Sequence, residues 1–189
     1  MRIVGGEARG RTLLTVPGNS TRPTADRVRQ SLFDLLGQRF DGLRVLDLYA
    51  GSGALALEAL SRGALHATLV EEDARACSVI ERNIAALRYQ ERCTLLHEEV
   101  GHAIGKQLGT PGLPHRGPFD LLFSDPPYAL RAAQVTLDAL ALHGLLAPFG
   151  RAVIERDKRE PRPTLPPGFS LYDDRAYGDT AVLVVTRSD

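Results

Sequence analysis

The stretch VLDLYAGSGALALEAL, residues 45–60, decides the fold of this chain. Its first half is a near-continuous apolar run, which is typical of a buried parallel strand, and its second half is rich in strong helix formers. Gly51 and Gly53 lie between the halves, where the absence of side chains lets a ligand come close to the backbone. Free N–H groups at the start of the helix can receive polar ligand groups. The stretch therefore predicts a strand, a turn that can bind a ligand, and a helix.

The rest of the chain repeats this alternation of short apolar runs with helical patterns. Strands are predicted at 43–50, 66–72, 93–97, 119–125 and 151–156, and helices at 54–60, 74–88, 99–108 and 130–145. The last two apolar runs, FSLYDD and TAVLVVT, predict an antiparallel hairpin. This order predicts a Rossmann-like α/β fold whose sheet is mostly parallel with a C-terminal antiparallel edge. Ligands of such sheets bind beyond the carboxyl ends of the strands.

The first 40 residues differ in character from the remainder. IVGGEARGRTLLTV predicts a small β-ribbon, and RPTADRVRQSLFDLLG predicts a helix with one apolar face. We interpret residues 1–40 as a ribbon and helix extension, packed on a main domain at 41–189 that forms one compact unit.

Composition excludes several classes of protein. The hydrophobic share of the 189 residues is 43%, and no apolar run approaches the ~20 residues of a membrane span. Cys77, Cys93 and the scattered histidines lack the spacing of metal ligands, so no metal site is predicted. Because the chain begins with charged residues and lacks a signal-peptide core, we predict a cytoplasmic protein.

The charges balance overall but not locally. The formal net charge is zero, which argues against a protein that coats nucleic acid by bulk electrostatics. Residues 1–30, however, carry six arginines and two acids, an excess of four positive charges. This patch is either a solvated surface or a contact for an anionic partner, and composition alone leaves both open.

Two acids accompany the glycine turn. Asp47 precedes it within the first strand, and Glu71 ends the next strand, where an acid can accept both hydroxyls of a ribose. An NAD enzyme uses an acid in the same way, so a dehydrogenase remains an alternative. Asp47, however, would repel a pyrophosphate and suits a cationic nucleoside such as S-adenosylmethionine (SAM).

FSDPPYAL, residues 123–130, ends the fourth predicted strand with a rigid turn, because consecutive prolines cannot continue a central strand. Asp125 and the carbonyl of Pro126 can accept hydrogen bonds from an exocyclic amine, and Tyr128 can stack on a base. Such acceptors draw the nitrogen towards the tetrahedral geometry that methyl transfer requires. The alternative is a surface turn without chemistry, a common role of Asp-Pro.

Segments from nearly the whole length resemble one family: RIVGGEARGRTL, RPTADRVRQSLFDLL, VLDLYAGSGALALEALSRGA, LVEEDARA with Asn83 following, FDLLFSDPPY and YGDTAVLVV. The chain resembles the RsmD-type small-subunit ribosomal RNA guanine-N2 methyltransferases. DPPY alone is shared by amino methyltransferases that act on adenine, cytosine or glutamine, whereas the RPT-DRVR-LF segment is more specific.

The resemblance implies a class I SAM-dependent methyltransferase with a seven-stranded sheet, which methylates the exocyclic N2 amine of one guanine in 16S RNA. It implies SAM as cofactor and small-subunit ribosomal RNA as partner; naked RNA and an assembling ribosomal particle both stay open as substrate, and the zero net charge is consistent with the particle. The implied cofactor-binding residues are Asp47, Tyr49, Ala50, Gly51, Ser52, Gly53, Glu71, Glu72, Glu99 and Val100. The implied catalytic residues are Asp125, Pro126, Pro127 and Tyr128, and the RNA-binding residues are Arg9, Arg11, Arg22 and Arg27.

The chain departs from this family after the third strand. Relatives tend to have Asp or Asn followed by a small residue where this chain has Glu99 and Val100. Glu155, at the end of the fifth strand, is interpreted as structural rather than as a contact to the guanine edge. The alternatives are an amino methyltransferase acting on DNA or on a protein glutamine, and an RNA-binding assembly module without turnover.

Overall fold

A computed structural model describes residues 1–17, 23–106, 108, 117–126 and 132–189, except the side chains of 23–27 and 132. The helices are α1 (Pro23–Leu36), α2 (Ala54–Ser61), α3 (Ala74–Leu87), α4 (Val100–Lys106) and α5 (Ala132–Leu142). The strands are β1 (Arg44–Leu48), β2 (His66–Glu71), β3 (Cys93–His97), β4 (Phe119–Ser124), β5 (Leu146–Asp157), β6 (Phe169–Tyr177) and β7 (Thr180–Arg187). Within these ranges, no helix has the length and hydrophobicity that crossing a membrane requires.

The described strands form one seven-stranded sheet in the order β3-β2-β1-β4-β5-β7-β6. β1 to β5 are parallel, whereas β7 is antiparallel to both β5 and β6. The strand order reverses between β1 and β4, where Leu48 pairs with Ser124. The predicted Rossmann-like sheet with its C-terminal hairpin is therefore confirmed, and the end of β4 lies beside the glycine turn.

β5 is longer than its predicted span of 151–156. It begins at Leu146, and its register with β4 shifts between Phe119 and Leu121. Pro148 and Gly150 are turn signals in the sequence, but here they belong to an irregular stretch of strand. Phe149 has a left-handed φ of 61° within it. A local kink, rather than a turn, accounts for these residues.

Successive side chains along each strand point to opposite faces of the sheet, so the core has two layers. One face packs against α1, α2, α3 and the N-terminal ribbon (residues 1–16, in which an isolated antiparallel bridge joins Arg2 and Thr12), and we call it the α1 face. Its strand residues include Val45, Leu69, Phe123 and Val153. The opposite face, which carries residues such as Leu122, packs against α4 and α5. A residue two positions beyond Phe123 or Val153 therefore points to the α1 face.

Buried polar groups attach the N-terminal ribbon to α2. Glu58 is fully buried and accepts hydrogen bonds of 2.8 Å from both the Val4 N–H and the Arg62 Nε. The hydroxyl of Ser61 accepts one of 2.9 Å from the Ala8 N–H. A Cβ on Gly6 would lie 1.8 Å from the Ser61 carbonyl oxygen, so the ribbon needs glycine to lie this close to the helix.

Candidate active site

Asp47 lies on β1, and only 2% of its surface is exposed. Its Oδ2 accepts a hydrogen bond of 3.1 Å from the backbone N–H of Ala56, in the first turn of α2. Desolvation raises the pKa of Asp47 well above its usual range, and repulsion from three nearby acids raises it further: Asp125, Glu71 and Glu155. One oxygen of Asp47 thus holds the start of α2, and the site around it is rich in negative charge.

The turn after β1 has three residues with left-handed backbone: Tyr49 (φ 61°), Gly51 (φ 57°) and Gly53 (φ 76°). It is closed by a hydrogen bond of 2.7 Å from the Gly53 N–H to the carbonyl of Ala50. A Cβ on Gly53 would come within 3.1 Å of the Leu69 side chain, whereas a Cβ on Gly51 would meet no atom of the described residues within 4 Å. Gly53 is therefore needed for packing, and Gly51 faces open space that a ligand can occupy.

Glu71 ends β2 and is held by the turn next to it. Its Oε2 accepts a hydrogen bond of 2.7 Å from the Gly51 N–H, and its Oε1 accepts one of 2.9 Å from the Asp73 N–H. Each carboxylate oxygen keeps a further lone pair, so Glu71 can still accept hydroxyl groups of a ribose. Glu72 is exposed beside it.

Glu99 and Val100 lie where β3 leads into α4. The two carboxylate oxygens of Glu99 accept hydrogen bonds of 2.8 and 2.9 Å from the N–H groups of Gly101 and His102, so Glu99 caps its own helix. Val100 is 6% exposed and packs into the core. Desolvation raises the pKa of Tyr49, and repulsion from Glu99 and then Glu72 adds to it, which places both acids within electrostatic reach of the glycine turn.

Asp125 follows β4 directly beside the end of β1. Its backbone N–H donates a long hydrogen bond of 3.5 Å to the carbonyl of Leu48, and Pro126 behind it is buried. Pro127 and Tyr128 lie outside the described residues. The structure thus brings the acid of the proline turn next to the glycine turn.

Glu155 lies at the same level as Asp125 on the neighbouring parallel strand, because Ser124 pairs with Ile154. Both acids follow an apolar residue of the α1 face by two positions, so both point to that face. The sequence interpretation treated Glu155 as structural. Its position beside Asp125 follows only from the register of β4 with β5, which local sequence does not contain.

Asp125 and Glu155 titrate as a pair. Part of the Asp125 side chain is exposed, but protein surrounds most of it, and desolvation raises its pKa to about 6. Desolvation and then repulsion from Asp125 raise the pKa of Glu155 to about 8. Two carboxylates that are costly to ionise together favour a ligand that brings hydrogen-bond donors or positive charge.

These acids form a row across the carboxyl ends of the parallel strands. Glu71 ends β2, Asp125 follows β4, and Glu155 lies beside Asp125 within β5, all on the α1 face; Asp47 lies on β1 at the level of Leu69 and Phe123. No group of His, Cys, Asp and Glu side chains in the described part of the chain is arranged to hold a metal ion. The residues present suit a cationic organic group more than a phosphate.

The predicted RNA-binding arginines lie in the N-terminal segment. Arg9 and Arg11 are exposed on the ribbon, and the Arg11 Nη2 donates a hydrogen bond of 2.7 Å to the carbonyl of Ala86. Arg22 and the side chain of Arg27 lie outside the described residues.

Asn83 of α3 connects the ribbon with the glycine turn, a role that sequence reasoning missed. It is 1% exposed, and its Nδ2 donates to the carbonyls of Ser52 (3.0 Å) and Leu14 (3.1 Å). Its Oδ1 accepts a hydrogen bond of 2.8 Å from the Leu14 N–H. The Ser52 hydroxyl lies 3.7 Å from the sulfur of Met1. The N-terminal segment therefore packs directly against the turn.

Comparisons with known proteins agree with this architecture. The family described as Conserved hypothetical protein 95 matches residues 1–186. The chain is 34% identical over 187 residues to ribosomal RNA small subunit methyltransferase D of Escherichia coli K12, covering 99% of this chain and 90% of the relative. The corresponding Haemophilus influenzae protein is 31% identical over 178 residues, covering 94% and 89%. The solved structure of the E. coli protein yhhF superimposes with a TM-score of 0.87 at 31% identity, covering 100% of this chain and 98% of that one. The chain therefore belongs to the RsmD family, whose description is Conserved hypothetical protein 95.

Proposed function

We propose that this protein transfers a methyl group from SAM to the exocyclic N2 amine of a guanine in small-subunit (16S) ribosomal RNA. The observation that carries the proposal is the contact of Asp125 with the end of β1, where its N–H donates to the Leu48 carbonyl. This contact supports the proposal because an acceptor for an amine then lies beside the turn that would hold the nucleoside. The names of the E. coli and H. influenzae relatives support ribosomal RNA as the substrate class.

The residues of the glycine turn fit SAM. Gly51 leaves room above the backbone, and Glu71 can accept the ribose hydroxyls while it holds the Gly51 N–H. Asp47 and the acids around it favour the positive charges of the methionine end. When bound, SAM supplies an activated methyl group on its sulfonium sulfur.

The proline turn would prepare the acceptor. The Asp125 carboxylate accepts one amine hydrogen and the Pro126 carbonyl accepts the other, which directs the nitrogen lone pair towards the methyl carbon. As the N–CH3 bond forms and the S–CH3 bond breaks, the nitrogen becomes cationic, and Asp125 is placed to take its surplus proton. Tyr128 would stack on the base. Positioning of this kind supplies several kcal/mol of rate enhancement.

The N-terminal ribbon would contact the RNA. Arg9 and Arg11 are exposed on it, and phosphate contacts of this type position a substrate without reading its sequence. Because the net charge is zero, we propose an assembling ribosomal particle in the cytoplasm as substrate, in which partner proteins add binding energy.

The proposal is tested by mass mapping of modified nucleosides in small-subunit RNA from cells that lack the protein. We expect one N2-methylguanosine to be missing, and to return with the wild-type gene but not with Asp125→Ala. If a methyladenosine or methylcytosine were missing instead, the target base would be adenine or cytosine and not guanine. An unchanged set of modified nucleosides would contradict a role in modifying this RNA.

A further inference from the structure

We propose that Glu155 selects guanine: its carboxylate accepts a hydrogen bond from the N1–H of the base while Asp125 accepts one from the N2 amine. This inference rests on the proposed function and assigns a substrate contact outside the proline turn. It makes Glu155 a specificity residue, in contrast to the structural role that its sequence context suggests.

The register of the sheet carries the geometric part of this inference. Ser124 pairs with Ile154 on parallel neighbours, so Asp125 and Glu155 follow at one level, about 4.8 Å apart in the hydrogen-bonding direction. Both point to the α1 face, as does Asp47, which pairs with Phe123. A planar base edge placed across the end of β4 and the neighbouring part of β5 would therefore meet two carboxylates side by side.

Guanine matches this pair of acceptors. Its Watson–Crick edge presents the N1–H and the N2 amine next to each other, so both positions donate. Adenine and cytosine place a ring nitrogen acceptor beside their amine, and that acceptor would face the lone pairs of Glu155. A site built to accept from a substrate N–H rejects an analogue without it strongly, because buried polar groups are then left unpaired.

The charges around Glu155 explain why donors are favoured. Asp125 on β4 repels Glu155, and Glu155 in turn acts on Asp47 of β1. Across β7, Arg175 of β6 lies in the same row, since both it and Glu155 pair with Val182, but the guanidinium of Arg175 binds Asp173. Two base N–H groups would supply the hydrogen bonds that an ionised carboxylate pair requires.

A pH dependence follows from this arrangement. Only the ionised forms of Asp125 and Glu155 accept hydrogen bonds at all their oxygens, and the pKa of each is raised. We therefore expect kcat/KM of the wild-type enzyme to rise with pH across the neutral range as the pair loses its proton.

The first test compares wild type, Glu155→Gln and the control Glu81→Gln, which removes the same charge from an exposed position on α3. The substrate is small-subunit particles from cells that lack the protein. We expect Glu155→Gln to lower kcat/KM by about 10–100-fold, to flatten its pH profile and to leave SAM affinity within a few fold of wild type. Wild-type kcat/KM with an unchanged pH profile in Glu155→Gln would overturn the proposal, as would equal effects of both variants.

The second test changes the matching atom of the substrate. Particles are reconstituted with 16S RNA in which the target guanosine is kept or replaced by 2-aminopurine riboside, which retains the amine but has an acceptor at N1. Wild type should prefer guanine by about 10–100-fold, and Glu155→Gln, whose amide can donate to N1, should lose this preference. An equal preference in both enzymes would overturn the role of Glu155. Failure of wild type to methylate guanine would instead contradict the proposed function.

Discussion

Asn83 and Ser52 are joined by a hydrogen bond of 3.0 Å, although 31 positions separate them in the chain. The same amide group also binds both backbone polar groups of Leu14. One buried side chain on α3 therefore couples the N-terminal ribbon to the turn that would hold SAM.

We expect Asn83→Ala to weaken SAM binding and to lower the free energy of unfolding by about 1–3 kcal/mol, because buried backbone groups lose their partners. Calorimetric titration with SAM and denaturant unfolding measure the two effects. Gln90→Ala, at an exposed position after α3, is the control. Wild-type SAM affinity in Asn83→Ala would show that the ribbon and the turn are not coupled.

The buried pair of Glu58 and Arg62 predicts a large loss of stability. Glu58 is fully buried and Arg62 is 4% exposed, so Arg62→Ala would leave the buried Glu58 carboxylate without the nearer of its two arginine partners. We expect a loss of about 3–5 kcal/mol in the free energy of unfolding. Arg39→Ala, which breaks the exposed pair of Arg39 and Asp41, should have little effect. Equal losses from both variants in urea unfolding would refute this assignment.

The exposed arginines of the ribbon predict a change in the salt dependence of RNA binding. Replacing Arg9 and Arg11 with Gln should weaken binding and reduce the slope of log K against log salt by about 0.7–0.9 for each lost phosphate contact. Replacing Arg39 and Lys106, which are exposed outside the ribbon, should leave the slope unchanged. The slopes are measured by filter binding at several salt concentrations. An unchanged slope in the variant without Arg9 and Arg11 would show that the ribbon does not contact the RNA.

The raised pKa of Glu155 predicts how stability depends on pH. A carboxyl group whose folded pKa lies above its unfolded value stabilises the protein below the unfolded value, and this contribution is lost as pH rises through the folded value. For Glu155, this stabilisation is lost as the pH rises from the ordinary glutamate pKa of about 4 to the folded-state pKa of about 8.

Because Gln mimics the protonated form, Glu155→Gln should melt a few degrees above wild type at pH 8 and at nearly the same temperature at pH 4. Thermal unfolding across this pH range provides the measurement. A difference in melting temperature that does not change with pH would mean that Glu155 is not desolvated in the folded protein.

Local sequence predicted the glycine turn well, because its decisive features lie within a few residues of one another. The apolar run, Gly51, Gly53 and the following helix formers each favour the same structure. The position of Asp125 also follows from its place at the end of an apolar run. By contrast, the start of β5 was missed because Pro148 and Gly150 favour a turn locally, and pairing with β4 outweighs that preference.

The roles of Glu155 and Asn83 depend on contacts that local patterns do not contain. Glu155 becomes a neighbour of Asp125 only through the register of β4 with β5. In the sequence, Asn83 is one polar residue among others in a predicted helix. It gains Leu14 as a hydrogen-bond partner only when the N-terminal ribbon folds against α3. Long-range pairing, rather than residue type, distinguishes these side chains from ordinary surface polar groups.

The central claim, that Asp125 serves the acceptor amine and not the cofactor, is tested most directly by transfer of labelled methyl from SAM to small-subunit particles. Wild type and Asp125→Ala are compared, and the SAM Kd is measured on the same preparations. We predict label in N2-methylguanosine with wild type, a loss of at least about 100-fold in turnover with Asp125→Ala, and a SAM Kd within a few fold of wild type. Undiminished transfer by Asp125→Ala, or loss of its SAM binding, would contradict the account.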